Sequence, residues 1–160
     1  NPANVTGLLY ESMLPSVLHA RDKWLSPGGC LLPDRAQMVL SGIEDAEYKE
    51  SKINWWDNVY GFDFSSIKSS VLAEPLVDTV MPEQIMTDFS TLIDIDGLSV
   101  TKNELSFTVP FKLVADRDDY LHALVLHFDC QFGSAHKPVH LSTSPLHEYT
   151  HWKQVLSNPL

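Results

Sequence analysis

Apolar positions change their period along this chain. From Tyr10 to Trp24 they recur at helical spacing, with Tyr10, Met13, Leu14, Val17 and Trp24 on one face and the stem of Arg21 laid along it. The pattern predicts one helix. Pro15 is tolerated only in a first turn, so the helix starts near Ser12, which can cap it, and Pro27-Gly28-Gly29 ends it. After Cys30 the period falls to two. Gln37–Ile43 reads as a strand following the turn Pro33-Asp34-Arg35. Short strands are predicted over Ser70–Ala73, Leu76–Val80, Leu92–Asp94, Glu104–Thr108, Phe111–Ala115, Leu121–Phe132 and Val139–Ser142, spaced by Pro, Gly and Asp turns. In the longest of them Leu124, Leu126, Phe128, Cys130 and Phe132 share one face, and Val125, His127, Asp129 and Gln131 the other. So many short strands in succession predict a sandwich or barrel, and with the leading helix the class is α+β, mainly β.

One stretch breaks the β pattern. Glu44 to Ser70 mixes helical and irregular signals and carries Tyr48, Trp55, Trp56, Tyr60, Phe62 and Phe64. Six carboxylates (Glu44, Asp45, Glu47, Glu50, Asp57, Asp63) face only Lys49 and Lys52 up to that point. Acidic surface with large apolar anchors suits a helical arm that docks on a partner. The same aromatics could equally fill the domain's own core, and composition does not separate the two readings.

Charge narrows the function classes. The 160 residues have a formal net charge of −10, which opposes direct nucleic-acid binding, because phosphate neutralisation needs a basic face. The same charge suits a partner rich in Arg or Lys, and it equally serves solubility alone. No apolar run approaches the roughly 18–20 residues that span a membrane as a helix. Cys30 and Cys130 are far apart and have no metal spacing, as expected of buried or free thiols. His136 and His140, and His147 and His151, have the i,i+4 spacing of paired metal ligands, but Pro138 and Pro145 oppose the helix that would align them. No nucleophile-elbow motif accompanies the serines, and no Gly-rich turn leads from a strand into a helix.

Two blocks carry the most specific signal: Leu9-Tyr10-Glu11-Ser12-Met13 and Tyr149-Thr150-His151-Trp152-Lys153-Gln154. Between them, in order, come Ala20-Arg21-Asp22-Lys23-Trp24-Leu25, Trp55-Trp56-Asp57-Asn58-Val59-Tyr60-Gly61-Phe62-Asp63, Glu74-Pro75-Leu76-Val77-Asp78 and Ser142-Thr143-Ser144-Pro145. From about Leu8 to Gln154 the chain resembles the protein arginine methyltransferases, type I members most closely.

The resemblance implies an architecture and a chemistry. Residues 1–27 would be the end of a catalytic core, and residues 28–160 a β-barrel, incomplete at its C-terminal end. A dimerisation arm over about 46–80 would be inserted in it and would pair the chain with itself or with another family member. A protonated guanidinium is a poor nucleophile, since its pKa lies above ~12. Opposed carboxylates would hold it bidentately and leave one nitrogen aimed at the sulfonium methyl of S-adenosylmethionine. By resemblance Glu11 is one of those carboxylates, and Pro2 stands where the other would fall. His151 matches a loop histidine that pairs with an aspartate and helps relay the proton. Trp152 and Met13 match residues that line the substrate pocket. No residue here matches a cofactor-binding position. The substrates implied are histones and other Arg-rich proteins, in nucleus and cytoplasm.

Residues Asn1–Gly7 and Val155–Leu160 do not follow the family pattern, although a further barrel strand is expected after Gln154. A misplaced gene boundary or a retained intron would give such abrupt ends. The expectation is therefore a fragment inactive by itself, with an exposed sheet edge that invites aggregation. The alternative is a non-enzymatic barrel and arm that binds a full-length methyltransferase.

Overall fold

The computed structural model describes residues 13–158 of the 160. Its centre is an antiparallel sheet built around β1 (Arg35–Ile43) and β4 (Ala123–Phe132), which pair along their whole length from Arg35↔Gln131 to Ile43↔Ala123. The strands β2 (Leu76–Asp78), β3 (Ser90–Asp96), β5 (Val139–Ser142) and β6 (Gln154–Ser157) complete it. The order is β2-β6-β4-β1-β3, with β5 also on β4, and the sheet does not close among the described residues. It is an open, incomplete barrel with a few helices.

Directly opposed residues share a face of an antiparallel pair. Met38 lies opposite both Phe128 and Ile93, so these three mark one face. Helix α1 (Met13–Trp24) covers the β3 side of that face: Leu14 and Leu18 pack with Ile95 and Val100. Arg21 fixes the helix by donating from Nη1 to Gly97 O at 2.9 Å and Val100 O at 2.8 Å. The buried side is therefore Leu14, Leu18 and Arg21. Met13, Val17 and Trp24, expected on the same face, stand exposed. Their hydrophobic spacing is real, but β3 meets the helix one step round its circumference.

The second face carries Ile43, Ala123, Val125 and His127. Tyr48, Ile53, Val80 and Leu156 close over its end. Both faces of β4 are apolar, and the deepest burial falls on Ala123, Val125 and His127, whereas Leu124, Leu126 and Phe128 are half-buried. The longer apolar row is thus the less covered one, because a helical excursion folds back over the other face.

Three predicted strands are absent. Ser70–Ala73 lies in α3 (Lys68–Ala73), which ends where Glu74 becomes extended before Pro75. Glu104–Thr108 begins as the 3-10 turn Lys102–Leu105, because Glu104 Oε2 accepts from Thr101 N and Thr101 Oγ1 at 2.7 Å. Phe111–Ala115 alternates but pairs only at its end, through Asp88 N to Val114 O and Asp116 N to Met86 O. Conversely, Val155–Ser157 extends the sheet in β6 despite its departure from the expected pattern. Val155 and Leu156 bury on opposite faces, and pairing with β4 needs only backbone groups.

Candidate functional site

A loop leaves the sheet between β5 and β6. Both strands pair with β4, β5 against Asp129–Phe132 and β6 against Leu124–Leu126, and His127 and Phe128 occupy the gap. Thr143 fills the missing ladder position there. Its N donates to Phe128 O at 3.0 Å, and its hydroxyl accepts from Phe128 N at 3.0 Å and donates to Phe128 O at 2.9 Å. Gln154 closes the other end: Nε2 donates to Thr143 O at 2.7 Å and Oε1 accepts from Val80 N at 2.9 Å. Thr143 and Gln154 are buried, so these bonds are shielded from water. Ser142 and Ser144 hydroxyls accept from Ser144 N and Leu146 N and turn the chain outward.

On this base sits the turn Thr150–Lys153, closed by Lys153 N donating to Thr150 O at 3.1 Å. Lys153 takes φ 53°, a left-handed conformation that non-glycine residues hold only when neighbours over-determine it. His151 and Trp152 project from the turn with ring centroids 4.1 Å apart and planes tilted by 37°. The Trp152 ring meets the edge of Phe128 at 6.0 Å, and half of its surface stays exposed. The result is an indole wall beside an exposed imidazole, on the face marked by Met38 and Phe128. Such a surface can stack on or flank a planar cation and exchange a proton at the imidazole.

Of the other residues expected at the site, Met13 opens α1 and is 60% exposed. It lies on the same face as Trp152, but on the β3 side, with β1 between. Glu11, Tyr10 and Ser12 lie outside the described residues. Phe128, Thr143 and the Gln154 side chain are the supports that sequence reasoning missed. Their only signal was membership of the quoted blocks or of the long strand.

The opposite face holds a buried polar group. His127 is 3% exposed, with Nδ1 unpartnered and its ring edge-on to Phe89 at 5.7 Å. Burial, and to a lesser extent His147, lower its pKa, while Asp129 pulls it up. His140 Nε2 stands 3.9 Å from Asp129 Oδ2, and the His140 and His147 rings 6.4 Å apart. Among the described residues no three His, Cys, Asp or Glu side chains converge on a metal position. Gly28 (φ 78°) and Gly29 form a turn shortly after α1, with Gly29 N donating to Ser26 O at 2.8 Å.

The aromatic stretch divides between the two readings left open above. It begins as the short helix α2 (Ala46–Tyr48), capped by Asp45 Oδ1 accepting from Tyr48 N at 2.8 Å, and continues as a wider turn over Lys49–Ile53 and a 3-10 turn over Asn54–Asp57. Tyr48 and Ile53 reach the core. Trp55, Tyr60, Phe62 and Phe64 face outward. At the tip a two-residue hairpin joins Val59 and Phe62, with Tyr60 (φ 53°) and Gly61 (φ 93°) both left-handed, and Tyr60 is 92% exposed. An excursion that inserts its root and displays its aromatics has the form of a docking arm.

Comparison with known proteins agrees with this geometry. The family model of the arginine methyltransferase oligomerization subdomain matches residues 34–157, so the resemblance extends through β6 rather than stopping at Gln154. The chain belongs to the protein arginine methyltransferase family and carries its oligomerisation subdomain. Protein arginine N-methyltransferase 1 of Dictyostelium discoideum is 53% identical over 147 residues, 92% of this chain and 43% of its own length. The enzyme of the same name from Schizosaccharomyces pombe is 52% identical over 149 residues, 93% of this chain and 44% of its own length. The chain thus spans less than half the length of these relatives. A solved structure described as the Trypanosoma brucei PRMT1 enzyme-prozyme heterotetrameric complex with AdoHcy superposes with a TM-score of 0.90 at 44% identity, covering 95% of this chain and 48% of that one.

Proposed function

We propose that this chain supplies the barrel, the docking arm and one wall of the substrate pocket in a protein arginine N-methyltransferase. The reaction transfers a methyl group from S-adenosylmethionine to a guanidino nitrogen of protein arginine. The observation that carries this reading is the His151–Trp152 loop, latched at both ends by Thr143 and Gln154 and presented on the same face as α1. In this reading Glu11 accepts from the guanidinium and localises its charge, Trp152 and Met13 line the pocket, and His151 takes up the proton released by the nitrogen. In the same reading S-adenosylmethionine is held by residues other than those described and supplies the methyl group. Histones and other Arg-rich proteins are the substrate class, consistent with the net charge of −10. The arm pairs the chain with a second copy or a relative, and the protein acts in nucleus and cytoplasm.

The test is incorporation of labelled methyl from S-adenosylmethionine into an Arg-rich peptide by this chain fused behind the cofactor-binding half of a relative, unchanged and with Glu11→Gln or His151→Ala. The expected result is incorporation by the unchanged fusion that either change reduces by about 100-fold or more, in the range of a lost acid–base group. A folded fusion that binds S-adenosylmethionine but transfers no methyl would overturn the catalytic reading.

A second reading is a non-catalytic partner: barrel and arm bound to a full-length methyltransferase. It is favoured by the outward aromatics of the arm and by the description of the trypanosomal relative as an enzyme with a prozyme. Co-purification with an active relative, without methyl transfer by this chain, would select it.

A further inference from the structure

The arm and the pocket loop meet at one residue. The return strand of the arm, β2, pairs among the described residues with β6 alone, from Leu76↔Leu156 to Asp78↔Gln154. Just beyond β2, Val80 N donates to Gln154 Oε1 at 2.9 Å. The other end of the same amide, Nε2, donates to Thr143 O at 2.7 Å, where the loop begins. A neighbouring ion pair, Lys153 Nζ to Asp78 Oδ1 at 3.6 Å, holds the left-handed residue that follows Trp152. Two restraints on the exit of the His151–Trp152 turn, the Gln154 amide and the Lys153–Asp78 pair, are therefore shared with the arm's return strand and its exit.

We infer that Gln154 is a positioning residue through which the arm sets the conformation of the His151–Trp152 loop. It touches none of the groups assigned to substrate and acts through Thr143 and the turn. The inference rests on the reading of that loop as a pocket wall only for its functional meaning; the mechanical link stands on the hydrogen bonds themselves. A primary amide is needed, because one end must accept from Val80 N while the other donates to Thr143 O. A carboxylate keeps the first bond and turns the second into a repulsion between two oxygens. Because Gln154 is buried, water does not replace the lost bond. Movement of the arm, as when a partner seats on Tyr60 and Phe62, is transmitted as a displacement of the turn.

The experiment uses fluorine NMR of the full chain labelled with 5-fluorotryptophan, which resolves the four tryptophans (Trp24, Trp55, Trp56, Trp152). Val77→Ala is a mild perturbation from the arm side, since Val77 is an exposed residue of β2 outside the Lys153–Asp78 pair. The expected result is that Val77→Ala moves or broadens the Trp152 resonance in the wild-type background. In Gln154→Glu that resonance should already be displaced and should respond to Val77→Ala by less than half as much, with Trp24 unchanged as the sign of an intact fold. Gln154→Asn shortens the amide and guards against misfolding of the glutamate variant; it should give an intermediate displacement. A Trp152 resonance unmoved in both Gln154 variants while Trp24 keeps its position would overturn the inference. The readout requires no methyl transfer, so the link can fail while the proposed activity holds, and the reverse.

Discussion

Asp34 and Ser134 are 100 residues apart and share two hydrogen bonds: Asp34 Oδ2 accepts from Ser134 N at 2.6 Å and from Ser134 Oγ at 2.7 Å. The other carboxylate oxygen accepts from Gly133 N at 2.9 Å, while Asp34 N and O bond Gln131 O and Gly97 N. One residue thus ties the entry of β1, the exit of β4 and the turn after β3. The Ser134 hydroxyl above all, then the Gly133 amide, hold its carboxyl below the usual carboxylate range. A depressed folded-state pKa contributes stability that is present above the unfolded value of 3.8 and is lost as pH falls below it. Urea unfolding should therefore show Asp34→Ala less stable than wild type at pH 7, with the difference shrinking as the pH is lowered below about 4.

His127 depends on pH in the same direction, for a different reason. Its imidazole is buried beside Phe89, so the folded state disfavours the proton that the unfolded chain binds near the ordinary value of 6.5. Its stabilising influence is complete above that pH and is lost on acidification, at no more than about 1.4 kcal/mol per pH unit for one proton. Replacement by Phe should flatten the thermal midpoint between about pH 6.5 and 5. A slope unchanged in His127→Phe would place the titration elsewhere.

The two thiols should differ sharply in reactivity. Burial, reinforced by Asp129, pushes the Cys130 thiol up to about 11, whereas Cys30 is exposed. Since the thiolate is the nucleophile, iodoacetamide near pH 8 should label Cys30 alone in the folded protein and both in urea. Mass spectrometry of the labelled peptides reads the ratio directly.

Docking and folding separate at Tyr60. Asn accepts its left-handed φ more readily than Tyr does, and the side chain makes no core contribution at 92% exposure. Tyr60→Asn should therefore leave the unfolding midpoint unchanged or slightly raised. The same change should weaken association measured by sedimentation, because it removes the most exposed anchor of the arm. Gly61→Ala, at φ 93°, should instead destabilise the hairpin by roughly 1–2 kcal/mol.

Much of the framework is legible in local pattern. The period-two runs of Gln37–Ile43 and Leu121–Phe132 are the two central strands, because alternation over that length suits little else. The helix ending at Pro27-Gly28-Gly29 follows from local stereochemistry, and the Thr-His-Trp block locates the loop. Glu104–Thr108 and Phe111–Ala115 also alternate, yet they are not strands. A strand needs a partner edge, and which edges meet is not written in either segment alone.

The order of residues by itself determined the type of element wherever backbone preference and side-chain period agree, and it determined the family through motifs kept in register. Only the tertiary structure decided which face of α1 is buried, which row of β4 lies deepest, and that Tyr48 enters the core while Tyr60 leaves it. It alone brought Gln154 between Thr143 and Val80. The physical reason is the same in each case. Burial and the pairing of a buried amide depend on what stands opposite, and here the opposing group comes from tens of residues away.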